Sequence, residues 1–191
     1  MQNRLRETLD AHLAVIRGIE PLLPTVERLA EHATDCLHAG GHILWMGNGG
    51  SAADCQHLAA ELVGCFERKR KGLASIALTT DTSILTSVGN DLGFERIFAR
   101  QVEALCRPQD LLIGLSTSGN SRNVLAAMEV AAGIGCLRAG LAGGSGGQLA
   151  AATDLCLVVP SSNTARIQEA HILIGHMLCD LIETALATDP S

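Results

Sequence analysis

The sequence predicts an α/β fold in which a parallel β-sheet lies between two layers of helices. The chain has 191 residues, a length close to that of one domain, and carries five short apolar runs separated by stretches of helical periodicity. Parallel strands need crossover connections, and the helices in these connections cover both faces of the sheet. We therefore expect a three-layer αβα sandwich whose five strands are ordered 2-1-3-4-5, with extra helices at both ends.

The apolar runs are the strand candidates, and they occupy residues 42–46, 74–78, 111–115, 137–141 and 155–159. Two helices precede them, because apolar residues recur at helical spacing over residues 5–16 and 26–37. The last helix, predicted over residues 165–187, has a wider apolar surface than a one-sided helix needs, which favours packing between subunits. We expect one domain over residues 1–191, in which residues 1–39 serve oligomerisation and residues 40–191 form the binding core and the last helix.

The composition argues against several classes of protein. The net charge of −6 disfavours a broad basic face for nucleic-acid phosphates. No uncharged apolar stretch reaches the ~18 residues that a membrane span needs, and no secretion signal is visible, so we expect a cytoplasmic protein without membrane or direct nucleic-acid partners. Seven cysteines without C-x-x-C spacing predict reduced, mostly buried thiols. A mean hydropathy of +0.25 predicts a homo-oligomer.

Two polar, glycine-rich turns follow the first and third strands, over residues 47–51 and 116–121. With strand order 2-1-3-4-5, the helices after these strands leave on opposite faces, so the two turns open a crevice at the topological switch point. The second turn has no acidic residue, and it begins a helix whose free N–H groups attract anions. An ordinary capped helix start would explain one hydroxyl but hardly all four in this turn, so we predict that phosphate binds Ser116, Thr117, Ser118 and Ser121.

The first turn also fits the dinucleotide fingerprint G-x-G-x-x-A over residues 47–52. A dinucleotide site needs an acidic residue about 20 positions on, at the end of the second strand. The first candidate, Asp81, comes later in the chain. A sugar-phosphate site is therefore favoured over a Rossmann dehydrogenase.

Two helices carry residues suited to metal binding or proton transfer. His57 and Glu61 stand at i and i+4, a spacing that fits either a shared metal or a surface hydrogen bond. On the last helix, Gln168 and His176 are only about 80° apart on the helical wheel. A lone histidine on an apolar helix is more often a core or interface residue, so spacing alone leaves these roles open.

Together these motifs resemble the phosphoheptose isomerases of the sugar-isomerase (SIS) fold. The resemblance runs in order, with matching spacing, through residues 47–51, 56–57 with Glu61, 89–91, 116–121, and 165–169 with His176. It implies conversion of sedoheptulose 7-phosphate to glycero-manno-heptose 7-phosphate, the first step toward the heptose of bacterial lipopolysaccharide. It also implies a cytoplasmic homotetramer that contains zinc.

The resemblance also implies roles for individual residues. The phosphate would bind Ser116, Thr117, Ser118 and Ser121, and the sugar would contact Glu61, Gln168, Asn48, Gly49, Gly50, Ser51, Asn90 and Asp91. One zinc per subunit would be held by His57, Glu61, Gln168 and His176. Glu61 would be the base that moves a proton between C1 and C2, with His176 as its partner acid. Metal binding and proton transfer compete for these two side chains, so either the zinc is mainly structural and dissociable or ligand exchange accompanies substrate binding.

The sequence differs from the family's pattern at one turn, and one alternative function competes with the isomerase. The family's glycine-rich turn after the fourth strand usually contains Thr and Asp, which residues 142–147 lack, so a substrate contact from this turn is in doubt. The rival is a tetrameric protein of the same fold that binds the DNA replication initiator, and it resembles this chain over residues 165–169 and 178–182. That protein lacks the counterparts of Glu61 and His176, whose presence here favours the enzyme. A phosphosugar-sensing regulatory domain and an isomerase for another sugar phosphate stay open at low weight.

Overall fold

The structure, a computed structural model, describes residues 2–187; residue 1 and residues 188–191 of the predicted domain lie outside this range. In the described range, the helices are α1 (Gln2–Gly18), α2 (Leu23–His38), α3 (Gly50–Val63), α4 (Thr82–Asp91), α5 (Ala99–Leu105), α6 (Arg122–Ile134), α7 (Leu149–Ala152) and α8 (Thr164–Leu186). The strands are β1 (Ile43–Gly47), β2 (Ser75–Ala77), β3 (Leu111–Ser116), β4 (Leu137–Gly143) and β5 (Leu155–Val159). Short 3-10 turns precede α2 and α5.

The five strands form one parallel sheet of order β2-β1-β3-β4-β5, which confirms the predicted topology. The register places Trp45 of β1 opposite Ala77 of β2 and Ile113 of β3. On the other side of β3, Leu115 pairs with Leu141 of β4. Strands β1 and β3 are therefore neighbours, and the carboxyl ends of both open at the same edge of the sheet.

Helices cover both faces of the sheet, as the sequence predicts. Because successive strand residues point to opposite faces, Ile43 and Trp45 enter one core with α2, α3 and α8. Leu44 and Met46 enter a second core with α5, α6 and α7. The indole N–H of the fully buried Trp45 donates to Ser75 Oγ at 2.9 Å, so this buried donor has a hydrogen-bond partner.

The two N-terminal helices differ in how they pack. α2 buries Val26, Leu29 and Ala33 in the first core and so belongs to the body of the domain. α1 contacts α8 through polar groups: His12 Nδ1 lies 2.7 Å from Glu169 Oε2, and Arg166 donates to the carbonyl of Thr8 at 2.8 Å. The apolar stripe of α1 stays exposed, at 72% for Leu5, 56% for Leu9 and 42% for Leu13.

The thiol prediction is confirmed: all seven cysteines are free, and five of them are buried. Burial raises the pKa of the Cys36 thiol to about 11 and that of the Cys179 thiol to about 12, which keeps both protonated at neutral pH. No helix in residues 2–187 combines the length and the hydropathy that a membrane span requires.

His171 gives the fold a pH dependence that can be measured. This α8 side chain is fully buried and donates from Nε2 to the carbonyl of Ala142 at 3.1 Å, while Nδ1 has no partner. Burial lowers its pKa to about 4. The unfolded chain takes up this proton near pH 6.5, so between about pH 6.5 and 4 the unfolded state binds more protons and the native state loses stability as the pH falls.

We predict that His171→Gln, which keeps a donor for Ala142, removes this part of the acid destabilisation. The loss of unfolding free energy between pH 7 and 4.5 should be smaller than in the wild type by about 2–3 kcal/mol. Urea denaturation at the two pH values and equal protein concentration measures the difference. Parallel pH dependences of the two proteins would assign the acid sensitivity to other groups.

Candidate active site

The crevice at the switch point is closed at its base by two amides. Asn48, in the turn after β1, and Asn123, in the first turn of α6, exchange two hydrogen bonds of 2.9 and 2.8 Å. Asn123 is buried, and its Oδ1 also accepts from the backbone N–H of Val124. The turns after β1 and β3 are thus tied together at the point where the sequence predicts a ligand.

The turn over residues 116–121 is arranged as an anion site. Ser121 stands at the N-cap of α6 but makes no side-chain capping bond. Its hydroxyl instead lies 2.8 Å from that of Ser116, while Ser118 Oγ accepts from the backbone N–H of Asn120 at 3.1 Å. The backbone N–H groups of Arg122 and Asn123 are therefore left without a side-chain acceptor, whereas that of Val124 donates to Asn123 Oδ1. Two amides at the start of α6 thus remain for a phosphate.

The glycine-rich turn after β4 packs directly against the backbone of the turn after β3. Gly119 has a φ of +67°, and a Cβ there would lie 2.0 Å from the carbonyl oxygen of Gly146. A Cβ on Gly147 would lie 2.6 Å from the carbonyl oxygen of Ser118. This close backbone contact explains why residues 119 and 147 are glycines, without any substrate contact from the missing Thr and Asp.

A cleft of about 260 Å³ opens between the turns after β3, β4 and β5. Hydroxyl groups from all three turns line it, namely those of Thr117, Ser118, Ser145, Ser161, Ser162 and Thr164. Larger grooves of about 410 and 440 Å³ lie between α2 and α8 and beside β4, and neither is lined by a predicted site residue. The hydroxyl-lined cleft is the one that fits a phosphorylated ligand.

Helices α3 and α8 bring together three of the predicted side chains. His57 Nε2 lies 3.3 Å from Glu61 Oε1 on the same helix and 3.0 Å from Nε2 of His176 on α8. The carboxylate of Glu61 is mostly buried, whereas His57 is half exposed. A base and an imidazole that are far apart in the chain therefore meet at one face of the domain.

The contact between His57 and His176 depends on a glycine in α8. Gly175 precedes His176, and a Cβ at this position would lie 2.5 Å from both methyl carbons of Leu58 in α3. Leu58 is fully buried and cannot turn away. Only the absence of a side chain at Gly175 lets the two helices approach closely enough for the imidazoles to touch.

Gln168 also faces α3, two turns of α8 before His176. A Cβ on Gly50 would lie 2.6 Å from Gln168 Nε2, so the amide packs directly over the start of α3, beside Ser51. Asn90 and Asp91 lie elsewhere, exposed at the end of α4, where Asn90 Nδ2 donates to Asp91 Oδ1 at 2.7 Å. Within residues 2–187 neither forms a hydrogen bond to any predicted site residue other than its partner in this pair.

The segment after α4 nevertheless connects with the phosphate turn. Glu95 pairs with Arg122, the first residue of α6, at 2.9 Å. Asp81, which a dinucleotide site would use, caps α4 instead by accepting from the N–H of Ile84 at 2.9 Å. Its carboxylate thus has a structural partner, which agrees with the preference for a sugar-phosphate site.

The donor atoms of His57, Glu61 and His176 fit a metal ion chemically. Three lone-pair donors converge, but His57 Nε2 carries at most one proton and cannot bond well to both neighbours. The distances of 3.0 and 3.3 Å between these atoms are close to the distance of about 3.3 Å expected between two ligand atoms of tetrahedral zinc. Among residues 2–187, no group of three or more His, Cys, Asp or Glu side chains is arranged so that it could hold a metal ion, so zinc stays a prediction.

Sequence reasoning missed three residues beside this cluster. Phe66 stacks on His176 with ring centroids 5.4 Å apart and an interplanar angle of 25°. Asp54 lies one turn before His57, and burial raises the pKa of its carboxyl, one oxygen of which is buried without a partner. Glu183 is a fully buried carboxylate on α8. Only Asp54 had a sequence signal, its i, i+3 spacing from His57.

Comparison with known proteins places this geometry in a family. Residues 10–143 match the SIS domain family. A phosphoheptose isomerase from Helicobacter hepaticus is 51% identical over 184 residues, which span 96% of this chain and 94% of that protein. The structure of the phosphoheptose isomerase from Neisseria gonorrhoeae superposes with a TM-score of 0.91 at 44% identity, covering 96% of this chain and 98% of that one. The enzyme from Francisella tularensis gives 0.92 at 40% identity, with the same coverage.

Proposed function

Since this chain belongs to the phosphoheptose isomerase family of SIS-domain proteins, we propose that it converts D-sedoheptulose 7-phosphate to D-glycero-D-manno-heptose 7-phosphate. Identity above 50% over nearly the whole chain favours the isomerase over the initiator-binding alternative. The observation that carries the proposal is the contact of His57 with both Glu61 and His176, which puts a base and an acid from two helices in one place.

The reaction moves one proton between two carbons. The carboxylate of Glu61 removes a proton from C1 of the ketose, and the electrons of that C–H bond form the C1–C2 double bond of the enediolate. His176 donates a proton to the oxygen on C2 as charge develops there. The carboxyl proton of Glu61 exchanges with solvent while the enediol is bound, and Glu61 then delivers a proton to C2. The hydroxyl on C1 passes its proton to His176, which restores the imidazolium and leaves the aldehyde of the product.

The phosphate binds the turn over residues 116–121 and holds the sugar in register. The N–H groups of Arg122 and Asn123 at the start of α6 make no bond to a side chain, and Thr117 and Ser118 line the cleft that would receive the phosphate. The chain of the sugar then extends along the crevice past Asn48 toward Glu61. Because the phosphate does not react, its contacts serve binding and orientation.

Zinc would be held by His57, Glu61, Gln168 and His176. When bound, it would supply a Lewis acid that polarises the carbonyl of the sugar. The distances from His57 Nε2 to His176 Nε2, 3.0 Å, and to Glu61 Oε1, 3.3 Å, support this site. Metal analysis of the purified protein tests it, and about one zinc per subunit is the expected result.

We also propose a homotetramer in the cytoplasm that supplies heptose for lipopolysaccharide. The exposed leucine stripe of α1 and the exposed Leu181 on α8 support association between subunits. Sedimentation equilibrium tests the oligomeric state directly.

The activity is tested by incubating the protein with sedoheptulose 7-phosphate and following the sugar by NMR. Appearance of the anomeric proton of the heptose 7-phosphate is the expected result. Capture of the replication initiator by the same tetramer, with no conversion of the sugar, would contradict the isomerase proposal and favour the initiator-binding alternative.

The phosphate site gives a second, narrower prediction. Ser118→Ala combined with Ser121→Ala should raise KM for the sugar phosphate by about tenfold and leave kcat within about twofold, because these hydroxyls bind rather than react. Steady-state kinetics measures both constants. An unchanged KM in the double variant would place the phosphate elsewhere.

A further inference from the structure

The loop that joins α3 to β2, residues 64–74, is organised around a carboxylate from α8. Glu183 is fully buried and accepts from three consecutive backbone N–H groups, those of Phe66 at 3.0 Å, Glu67 at 2.7 Å and Arg68 at 2.7 Å. Successive N–H groups that converge on one anion fix the conformation of a loop strongly. Burial by itself raises the pKa of Glu183, but these bonds and Arg70 outweigh it and the pKa is lowered.

Arg70 connects the same carboxylate to the end of α3. Its Nε lies 3.1 Å from Glu183 Oε1, and its side chain is almost fully buried. Its guanidinium donates to the carbonyls of Glu61 at 3.0 Å and Leu62 at 2.8 Å, which are orphan acceptors in the last turn of α3. A cation at a helix C-terminus is also favoured by the helix dipole.

Both sets of contacts made by Glu183, those with Arg70 and those with the loop amides, lead to residues of the candidate active site. Through Arg70, Glu183 holds the helical turn that carries Glu61. Through the loop amides, it holds Phe66, whose ring stacks on the imidazole of His176. The base and the acid are therefore oriented from one buried point, although Glu183 itself makes no hydrogen bond to either side chain.

We propose that Glu183 is a positioning residue that, with Arg70 and Phe66, sets the geometry of Glu61 relative to His176. The assignment rests on the isomerase function proposed above. Phe66 limits rotation of the imidazole, and Arg70 limits fraying of α3 at the residue that must reach C1 of the sugar. Groups that hold reacting side chains in this way change turnover more than substrate binding.

The test compares Glu183→Gln with Asp180→Asn. Asp180 is a matched control, because it lies on α8 one turn earlier and binds Arg68 of the same loop at 2.7 Å but is half exposed. Glu183→Gln should lower kcat by about tenfold with KM within about twofold. Hydrogen exchange at the amides of residues 66–68 should become faster, and the Hε1 signal of ¹³C-labelled His176 should move downfield as the ring current of Phe66 is lost. Asp180→Asn should leave all three readouts near their wild-type values.

A second variant keeps the proposal testable if Glu183→Gln does not assemble. Phe66→Leu leaves the buried ion pair intact and should shift the His176 signal and lower kcat by about three- to fivefold without changing KM. Amide exchange and the His176 signal are measured without substrate, so they test the positioning independently of whether the sugar is turned over. A folded Phe66→Leu protein with wild-type kcat, or a folded Glu183→Gln protein with wild-type kcat and an unmoved His176 signal, would overturn the proposal.

Discussion

Replacing Glu61 with Gln should lower kcat by about 10³-fold while the protein keeps its fold and its affinity for the sugar phosphate. The amide has nearly the shape of the carboxylate, but it cannot take a proton from C1. Glu61 lies 3.3 Å from His57 and is mostly shielded from solvent, so no water-borne base easily replaces it. Steady-state NMR kinetics gives kcat, and titration with inorganic phosphate measures the integrity of the anion site.

Glu129→Gln is the matched control for this substitution, because Glu129 is exposed on α6, two turns beyond the phosphate turn, and is not a proposed site residue. It should turn over sugar like the wild type. The zinc content of both variants is measured alongside, since Glu61 is also a proposed ligand. Undiminished turnover by Glu61→Gln would remove this carboxylate from proton transfer.

Gly175→Ala should separate α3 from α8 and disable the site without touching any polar group. The new methyl would meet the side chain of Leu58 at 2.5 Å, in a core where Leu58 has no exposed surface. Overpacking of this kind costs about 1–3 kcal/mol. A displacement of about 1 Å between Glu61 and His176 lowers kcat by about 100-fold. Urea denaturation and steady-state kinetics measure the two effects.

The control for this variant is Gly133→Ala. Gly133 is also a helical glycine, but a Cβ there meets no atom within 4 Å, and it lies in the solvent-exposed last turn of α6. Its replacement should leave kcat unchanged and raise stability by up to about 1 kcal/mol. If Gly175→Ala were as active as Gly133→Ala, close approach of the helices would not be required for turnover.

The strands could be predicted from sequence because buried parallel strands are continuous apolar runs. The predicted run 155–159 coincides with β5, and the other four predicted runs overlap their strands with boundary shifts of one or two residues. The helix α4 was not predicted, because it fully buries no residue and its apolar face is short, with Leu85 and Val88 only partly buried against the second core. Its position is set by contacts with the segment that follows it.

In the candidate site, too, some contacts could be predicted from the sequence and others could not. His57 and Glu61 are adjacent through helix periodicity, which a sequence shows directly. The approach of His176 needs the packing of α8 on α3, and the sequence pointed to it only through the family resemblance. Glu183 and Phe66 are 117 positions apart, so only the folded chain reveals that one orients the other. Long-range contacts of buried polar groups leave no periodic pattern.

The central claim is that Glu61 transfers a proton between C1 and C2 of a bound sugar phosphate while His176 protonates the oxygen on C2. Conversion of sedoheptulose 7-phosphate in D₂O tests it most directly, with the product examined by ¹H and ²H NMR. Solvent deuterium should appear at C2 of the heptose 7-phosphate with wild-type protein and should be absent with Glu61→Gln. A product that carries no deuterium at C2, or equal incorporation by both proteins, would contradict proton transfer by this pair.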